Sequence, residues 1–230
     1  MNYSEINTKV DRLTHTTDTG GYSAAERLID FNNAQDEIQM EILKAQDGDD
    51  FDDKNYTENF PIRPANLKAG QNDYTIPSDM IKFKRLEISY DGTNWYYATP
   101  LDVGEYGIHL KSSYFSESNP RYDLRDNSII IYPTPTKDIT DGLKVWISRQ
   151  MYQFTSSDAS TGTKEPGFDR AYHKIIPYKM ALEFAYDNIP EDVNKLEAKV
   201  ERMLEKMRSD YSFKQQDRDT TAIAKIVNYN

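Results

Sequence analysis

The chain has 230 residues, a net charge of −10 and no cysteine, which excludes disulfides, thiolate nucleophiles and Cys-based zinc sites. A pI near 4.9 argues against a protein that grips nucleic acid, since that takes Lys and Arg to displace phosphate counterions; it does not exclude one that surrounds DNA without holding it. The mean hydropathy of −0.81 is low, yet 17 Tyr, 9 Phe and 2 Trp exceed what a solvated coil carries, and Tyr suits surfaces that become half-buried against partners.

The start of the chain has no basic region followed by an apolar stretch, and no window approaches the roughly 18 apolar residues of a membrane span. The expectation is a soluble protein made in a cytoplasm. Residues 1–22 are polar, end near Gly20-Gly21 and read as a flexible lead-in. Ser23 with Glu26 fits a capping box, and Leu28, Phe31, Ile38, Ile42 and Ala45 follow at steps of three and four with Gln35 in the remaining slot. This is an amphipathic helix, stopped at Gly48.

Residues 47–70 read as a loop, crowded with Asp47, Asp49, Asp50, Asp52 and Asp53 and broken by Pro61 and Pro64. A calcium loop counted from Asp47 would need Gly at its sixth position and Glu at its twelfth. Asp52 holds the sixth, so the bend is not encoded and a solvated acidic loop is the expectation.

From residue 71 to 152 the pattern changes to strands. Tyr74-Thr75-Ile76-Pro77 is a short strand ended by proline. Ile81 and Phe83, then Leu86, Ile88 and Tyr90, alternate on two registers with a bulge at Lys84-Arg85. Asp91-Gly92 turns a hairpin into Trp95-Tyr96-Tyr97, and Leu101, Val103 and Tyr106 fit a short helix. Tyr122 and Leu124 alternate, Asn127 turns into Ile129-Ile130-Ile131-Tyr132-Pro133, and Asp141-Gly142 turns into Leu143, Val145 and Ile147 with Trp146 on the other face. Short strands at this spacing predict a small antiparallel sandwich or barrel.

Residues 151–167 read as a Ser/Thr/Gly loop closed by Glu165-Pro166-Gly167. A helix is expected from about Asp169 to Asp187, bent at Pro177. A second begins at Pro190, with Glu191 and Asp192 in its first turn and Val193, Leu196, Val200, Met203, Met207 and Tyr211 as its apolar stripe. The predicted class is therefore α+β, with one N-terminal and two C-terminal amphipathic helices packed with the β domain. The predicted division is residues 23–70 with 165–211 as a helical domain and 71–152 as the β domain. Residues 212–230 are expected to be extended. Their apolar end, Ile223, Ile226, Val227 and Tyr229, lacks room for its own core and reads as a docking segment for a partner.

Chemistry is thinly encoded. His15, His109 and His173 share no helix face, and no His-Glu-x-x-His, nucleophile elbow, P-loop or dinucleotide fingerprint occurs. No catalytic residue, metal or cofactor is predicted. Trp95-Tyr96-Tyr97 could stack bases or sugars, but no basic residue is interleaved with it. A monomeric β-sandwich binding module using Trp95 and Tyr97 for a carbohydrate or protein ligand is the alternative to a structural subunit.

The order of signals itself is distinctive: Tyr74-Thr75-Ile76-Pro77, a long hairpin, Ile129-Ile130-Ile131-Tyr132-Pro133-Thr134-Pro135, the Leu143-x-Val-x-Ile strand, then Glu165-Pro166-x-Phe168 and Tyr172-His173 opening a helix pair. Across about residues 23–210 this resembles the head–tail adaptor proteins of tailed bacteriophages, the group with the tail tubular protein A-like gatekeepers. The loops at 47–70 and 153–164 depart from that pattern. The resemblance implies a virion protein in the neck, assembled in the host cytoplasm into a ring, usually of twelve copies. Its partners would be the portal protein above and a downstream tail or nozzle protein below, with DNA passing through unbound and no membrane involved. Portal docking would then fall to Ile223, Ile226, Val227 and Tyr229.

Overall fold

The structure, a computed structural model, describes residues 1–16, 21–45, 53–56, 62–101 and 115–219, with side chains as far as 212. The chain divides into two compact units, residues 1–57 with 151–230 and residues 58–150. One is helical and the other is a curled sheet, so the α+β expectation holds.

The helical unit contains a helix that the sequence reading missed. Residues 1–22 do not form a flexible lead-in throughout, because α1 spans Tyr3–Thr14. Asn2 and Glu5 form a reciprocal capping box, and the next free donors, Tyr3 N and Ser4 N, reach Lys164 O and Gly162 O. Tyr3, Ile6, Val10 and Thr14 are buried at three- and four-residue spacing and turn one face of an otherwise polar segment into core. The unit thus has the fourth long helix that a three-helix reading lacked.

Helix α2 spans Ala24–Ala45. Its capping box forms as expected: Ser23 N donates to Glu26 Oε2 at 2.8 Å, and Glu26 N donates to Ser23 Oγ at 3.3 Å. Phe31, Gln35, Ile38 and Ile42 are buried along the predicted stripe. The Gly48 stop lies outside the described residues. The segment 151–167 is not wholly loop either, since α3 spans Ser156–Thr161 between a Thr155–Asp158 capping box and Gly162, whose φ of 64° ends the helix.

The expected bend at Pro177 is instead a late start. A 3-10 turn at Arg170–Tyr172 precedes α4, Ile175–Asn188. This puts Pro177 in the first helical turn, where its missing N–H costs no bond. After a second 3-10 turn at Pro190–Asp192, α5 runs Val193–Asp219. Residues 212–219 are therefore helical rather than extended. Helix α4 carries Ile175, Ile176, Met180, Ala181, Leu182, Phe184 and Ala185 buried around most of its girth, as a helix with neighbours on several sides must. It packs against α1, α2 and α5.

The β unit is one seven-stranded sheet in the order β1-β7-β3-β4-β5-β6-β2. The strands are β1 Ile62–Leu67, β2 Asp73–Thr75, β3 Met80–Ile88, β4 Tyr96–Pro100, β5 Arg121–Arg125, β6 Ser128–Tyr132 and β7 Ile139–Arg149. The loop expected over 47–70 gives way to β1, in which Pro64 is tolerated because β1 is an edge strand paired only with β7. Asp141-Gly142 is a bulge inside β7, not a hairpin: Asp141 has φ 51°, its N–H donates to Asn66 Oδ1 at 2.8 Å, and the β1–β7 register shifts between Ala65 and Leu67. The sheet is mixed, since β4 and β5 run parallel while the other pairs are antiparallel. The predicted bulge at Lys84 is present as a register shift between Phe83 and Arg85. Leu67, Leu86, Ile88, Ile129, Ile131, Leu143, Val145 and Ile147 form the core of this unit. The helix expected near Val103 and Tyr106 lies outside the described residues.

Candidate interaction surface

Because side chains alternate along a strand, burying Leu86, Ile88, Leu143, Val145 and Ile147 drives Arg85, Glu87, Lys144 and Trp146 to the opposite face of the sheet. Pairing then fixes which of them meet. Trp146 stands opposite Arg85, Lys144 opposite Glu87, and Glu87 opposite Tyr97. The Arg85 guanidinium lies 3.7 Å from the Trp146 ring centroid and 5.4 Å from that of Tyr97, on the neighbouring strand. It also pairs with Glu87 at 3.0 Å. Lys144 Nζ sits 3.5 Å over the Trp95 ring. Each such cation–ring contact contributes about 0.5–1 kcal/mol at an exposed site.

The loop presenting Trp95 is stiffened from within. Asp91 accepts from Asn94 N at 2.7 Å and Thr93 N at 2.8 Å, and these bonds, with one from the Asn94 side chain, hold its carboxyl well below the usual range. Tyr97 is 66 % exposed and Trp95 36 %. The result is a row of Trp, Tyr and Arg side chains already ordered by one another, the composition that anchors protein interfaces. Pre-ordering lowers the entropy lost when a partner arrives.

The sequence reading found no basic residues interleaved with Trp95-Tyr96-Tyr97. The cations instead come from two other strands, β3 and β7. Only strand register brings Arg85, Lys144 and Trp146 to this row, and the sole local hint was the placing of Trp146 on the outer face of its strand.

The other candidate residues are dispersed. Asp53, the last of the acidic run, is buried: it accepts from Asn55 N through Oδ1 and from Tyr152 N through Oδ2, each at 2.8 Å. Asp47, Asp49, Asp50 and Asp52 lie outside the described residues, as do His109, Ile223, Ile226, Val227 and Tyr229. His15 closes α1 with φ 55°. His173 is fully buried, with Nε2 donating to Phe168 O at 2.9 Å and Nδ1 facing the Met1 amino group at 3.0 Å. Burial pushes its pKa down, and the neighbouring amino group and Lys54 act in the same direction. It serves as a core hydrogen-bonding group. Among the described residues no three His, Asp or Glu side chains converge in a metal-binding arrangement, and no helix is long and apolar enough to cross a membrane.

The β unit therefore presents an exposed row of aromatic and cationic side chains held by one another. A family model described as the SU10 adaptor protein matches residues 1–225. The chain belongs to the SU10 adaptor protein family. Its members are structural adaptors of bacteriophages, not an enzyme family. No curated protein matches the chain.

Membership of an adaptor family implies interaction with phage head and tail components. Two buried phenols have strongly shifted pKa values. Tyr22 is pushed far up by burial and by its hydrogen bond to Asp30, and Tyr211 is pushed up to about 12 by burial. Both sit in the helical core, where a phenol must stay neutral.

Proposed function

We propose that this adaptor forms a ring, of twelve copies, between the portal of a DNA-filled capsid and the first component of the tail, in the manner of the tail tubular protein A-like gatekeepers. The observation that carries the reading is the family match over residues 1–225. The net charge of −10 supports the further step that the ring lines the DNA exit channel. A negative lumen repels phosphate and leaves the duplex free to slide, whereas lysine and arginine would brake it. The Trp95–Tyr97 row supplies one contact surface, and Ile223, Ile226, Val227 and Tyr229 supply the portal contact. Assembly takes place in the host cytoplasm.

The test is electron microscopy of purified phage particles and of the protein mixed with portal particles. The expected result is added density beneath the portal, lost when residues 220–230 are deleted while the helical circular dichroism signal persists. Undiminished portal binding by the truncated chain would refute the docking role, and absence from particles would refute the adaptor ring. The rings should bind duplex DNA negligibly at physiological salt; tight, salt-sensitive binding contradicts the channel reading.

A further inference from the structure

Helices α4 and α5 leave a groove of about 290 Å³ between the start of one and the middle of the other. Its floor is apolar, formed by Tyr172, Ile175 and Met203, and its rim carries Lys174, Arg202 and Lys206. None of these three cations is in an ion pair among the described residues. The acid on this rim, Asp210, accepts from the Tyr172 hydroxyl, so the rim carries three cations against one carboxylate. A groove with a greasy floor and unspent positive charge calls for an occupant that is apolar at its centre and acidic around it.

The other end of the same helical unit has that character. Ile29 projects from α2 and is 59 % exposed. Glu26, Asp30, Glu183 and Asp187 line the surface around it with no lysine or arginine among them. Burial and mutual repulsion among the acids raise the pKa of Glu183, and burial with Glu26 nearby raises that of Asp30. Lys179, the lysine beside Asp30 and Glu183, acts against the rise at Glu183 but is itself paired with Glu37. At about 1.5 Å per residue, the 14 residues of α4 place Lys174 and Asp187 about 20 Å apart along its axis. The acidic end and the basic groove therefore cannot neutralise each other within one copy.

We infer that the Lys174–Arg202–Lys206 groove receives the Ile29 end of a second copy of this chain, with Glu26, Glu183 and Asp187 meeting the three cations. Two geometries satisfy that pairing. In an antiparallel dimer both contacts form at once, whereas in a head-to-tail series each copy gives one contact and takes another. The head-to-tail form rests on the ring reading above; the pairing itself does not.

The absence of cysteine makes the test clean. Ile29→Cys and Met203→Cys placed in one chain, treated with a short bismaleimide at high protein concentration, should give a ladder of cross-linked oligomers. Neither single-cysteine chain should cross-link to itself. No ladder, or self-linking by Ile29→Cys alone, overturns the pairing; a product that stops at the dimer overturns the head-to-tail form. Charge reversal supplies the second arm. Glu183→Lys with Asp187→Lys should abolish the ladder, as should Arg202→Glu with Lys206→Glu, since these side chains are exposed and the fold survives their loss. Mixing the two reversed chains should restore it, because the reversed end of one fits the reversed groove of the other. Failure of the mixture to recover overturns the charge match. A ladder from a protein absent from phage particles would sink the adaptor ring and leave the contact standing.

Discussion

Replacing Gly167 with alanine should cost the helical unit about 2–4 kcal/mol, and the geometry shows why. A Cβ built on Gly167 falls 1.9 Å from Asp53 Cγ and 1.9 Å from its Oδ1. An ordinary contact is at least 3.4 Å, so the carboxylate must move by roughly 1.5 Å, enough to break a hydrogen bond of ordinary length. Asp53 is only 2 % exposed, and its two acceptor bonds, from Asn55 N and Tyr152 N, are each 2.8 Å long. Hydrogen bonds to a charged group contribute about 1.5–3 kcal/mol each, and part of that loss is recovered as the short 53–56 segment relaxes. Backbone strain plays no part, because Gly167 does not have a positive φ. The glycine is there for space.

A double-mutant cycle isolates the mechanism. Asp53→Ala alone should cost about 2–4 kcal/mol, since it leaves the Asn55 and Tyr152 N–H groups without their acceptor. Adding Gly167→Ala to Asp53→Ala should cost almost nothing more, because the colliding carboxylate is gone, so the two effects are far from additive. Urea denaturation followed by ellipticity at 222 nm reads the helical unit. Both tryptophans, Trp95 and Trp146, lie in the β unit, so their fluorescence follows that unit separately. A Gly167→Ala midpoint equal to wild type, or additive losses in the double variant, would refute the argument.

Three further outcomes are expected. Gln35 is fully buried with both amide atoms unpartnered among the described residues, so Gln35→Leu should raise stability by about 1–2 kcal/mol in the same denaturation assay. The lowered pKa of His173 means that the unfolded chain takes up a proton near pH 6.5 while the folded chain does not; the contribution is therefore complete above that pH and is lost as pH falls below it. Thermal melts should show this acid-side slope, and it should flatten in His173→Asn. Gly142→Ala would set a Cβ 2.9 Å from Ile139 Cγ2 and 3.0 Å from Leu67 Cδ1, so it should lower the unfolding free energy read by tryptophan fluorescence by about 1–3 kcal/mol.

Helix α2 and the stripe of α5 were legible because their signals are local. A Ser23–Glu26 box and a 3.6-residue repeat lie within one element and depend on nothing far away. Helix α1 carried the same kind of signal, in Asn2 with Glu5 and in Ile6 with Val10, but its low apolar content hid a single buried face. Thr155 with Asp158 announced α3 in the same way inside a segment whose composition read as loop. Strand β1 failed for a different reason. Pro64 forbids a central strand and permits an edge one, and edge or centre is decided by sheet order, which no local window contains. Asp141-Gly142 repeats the lesson, since the same dipeptide suits a hairpin and a bulge, and the partner strand chooses between them.

The contact surfaces were the least legible part, and the cause is averaging. A net charge of −10 describes the whole chain, whereas recognition acts over a Debye length of about 8 Å. Within that range Lys174, Arg202 and Lys206 make a basic rim on a protein whose composition is acidic. Composition therefore predicted the response to a long, uniformly charged polymer such as DNA, which senses the sum. It had no purchase on the response to another protein, which senses a groove. That local character is set by the meeting of residues far apart in sequence: Arg85 with Trp146 across two strands, and Lys174 with Arg202 at two helices.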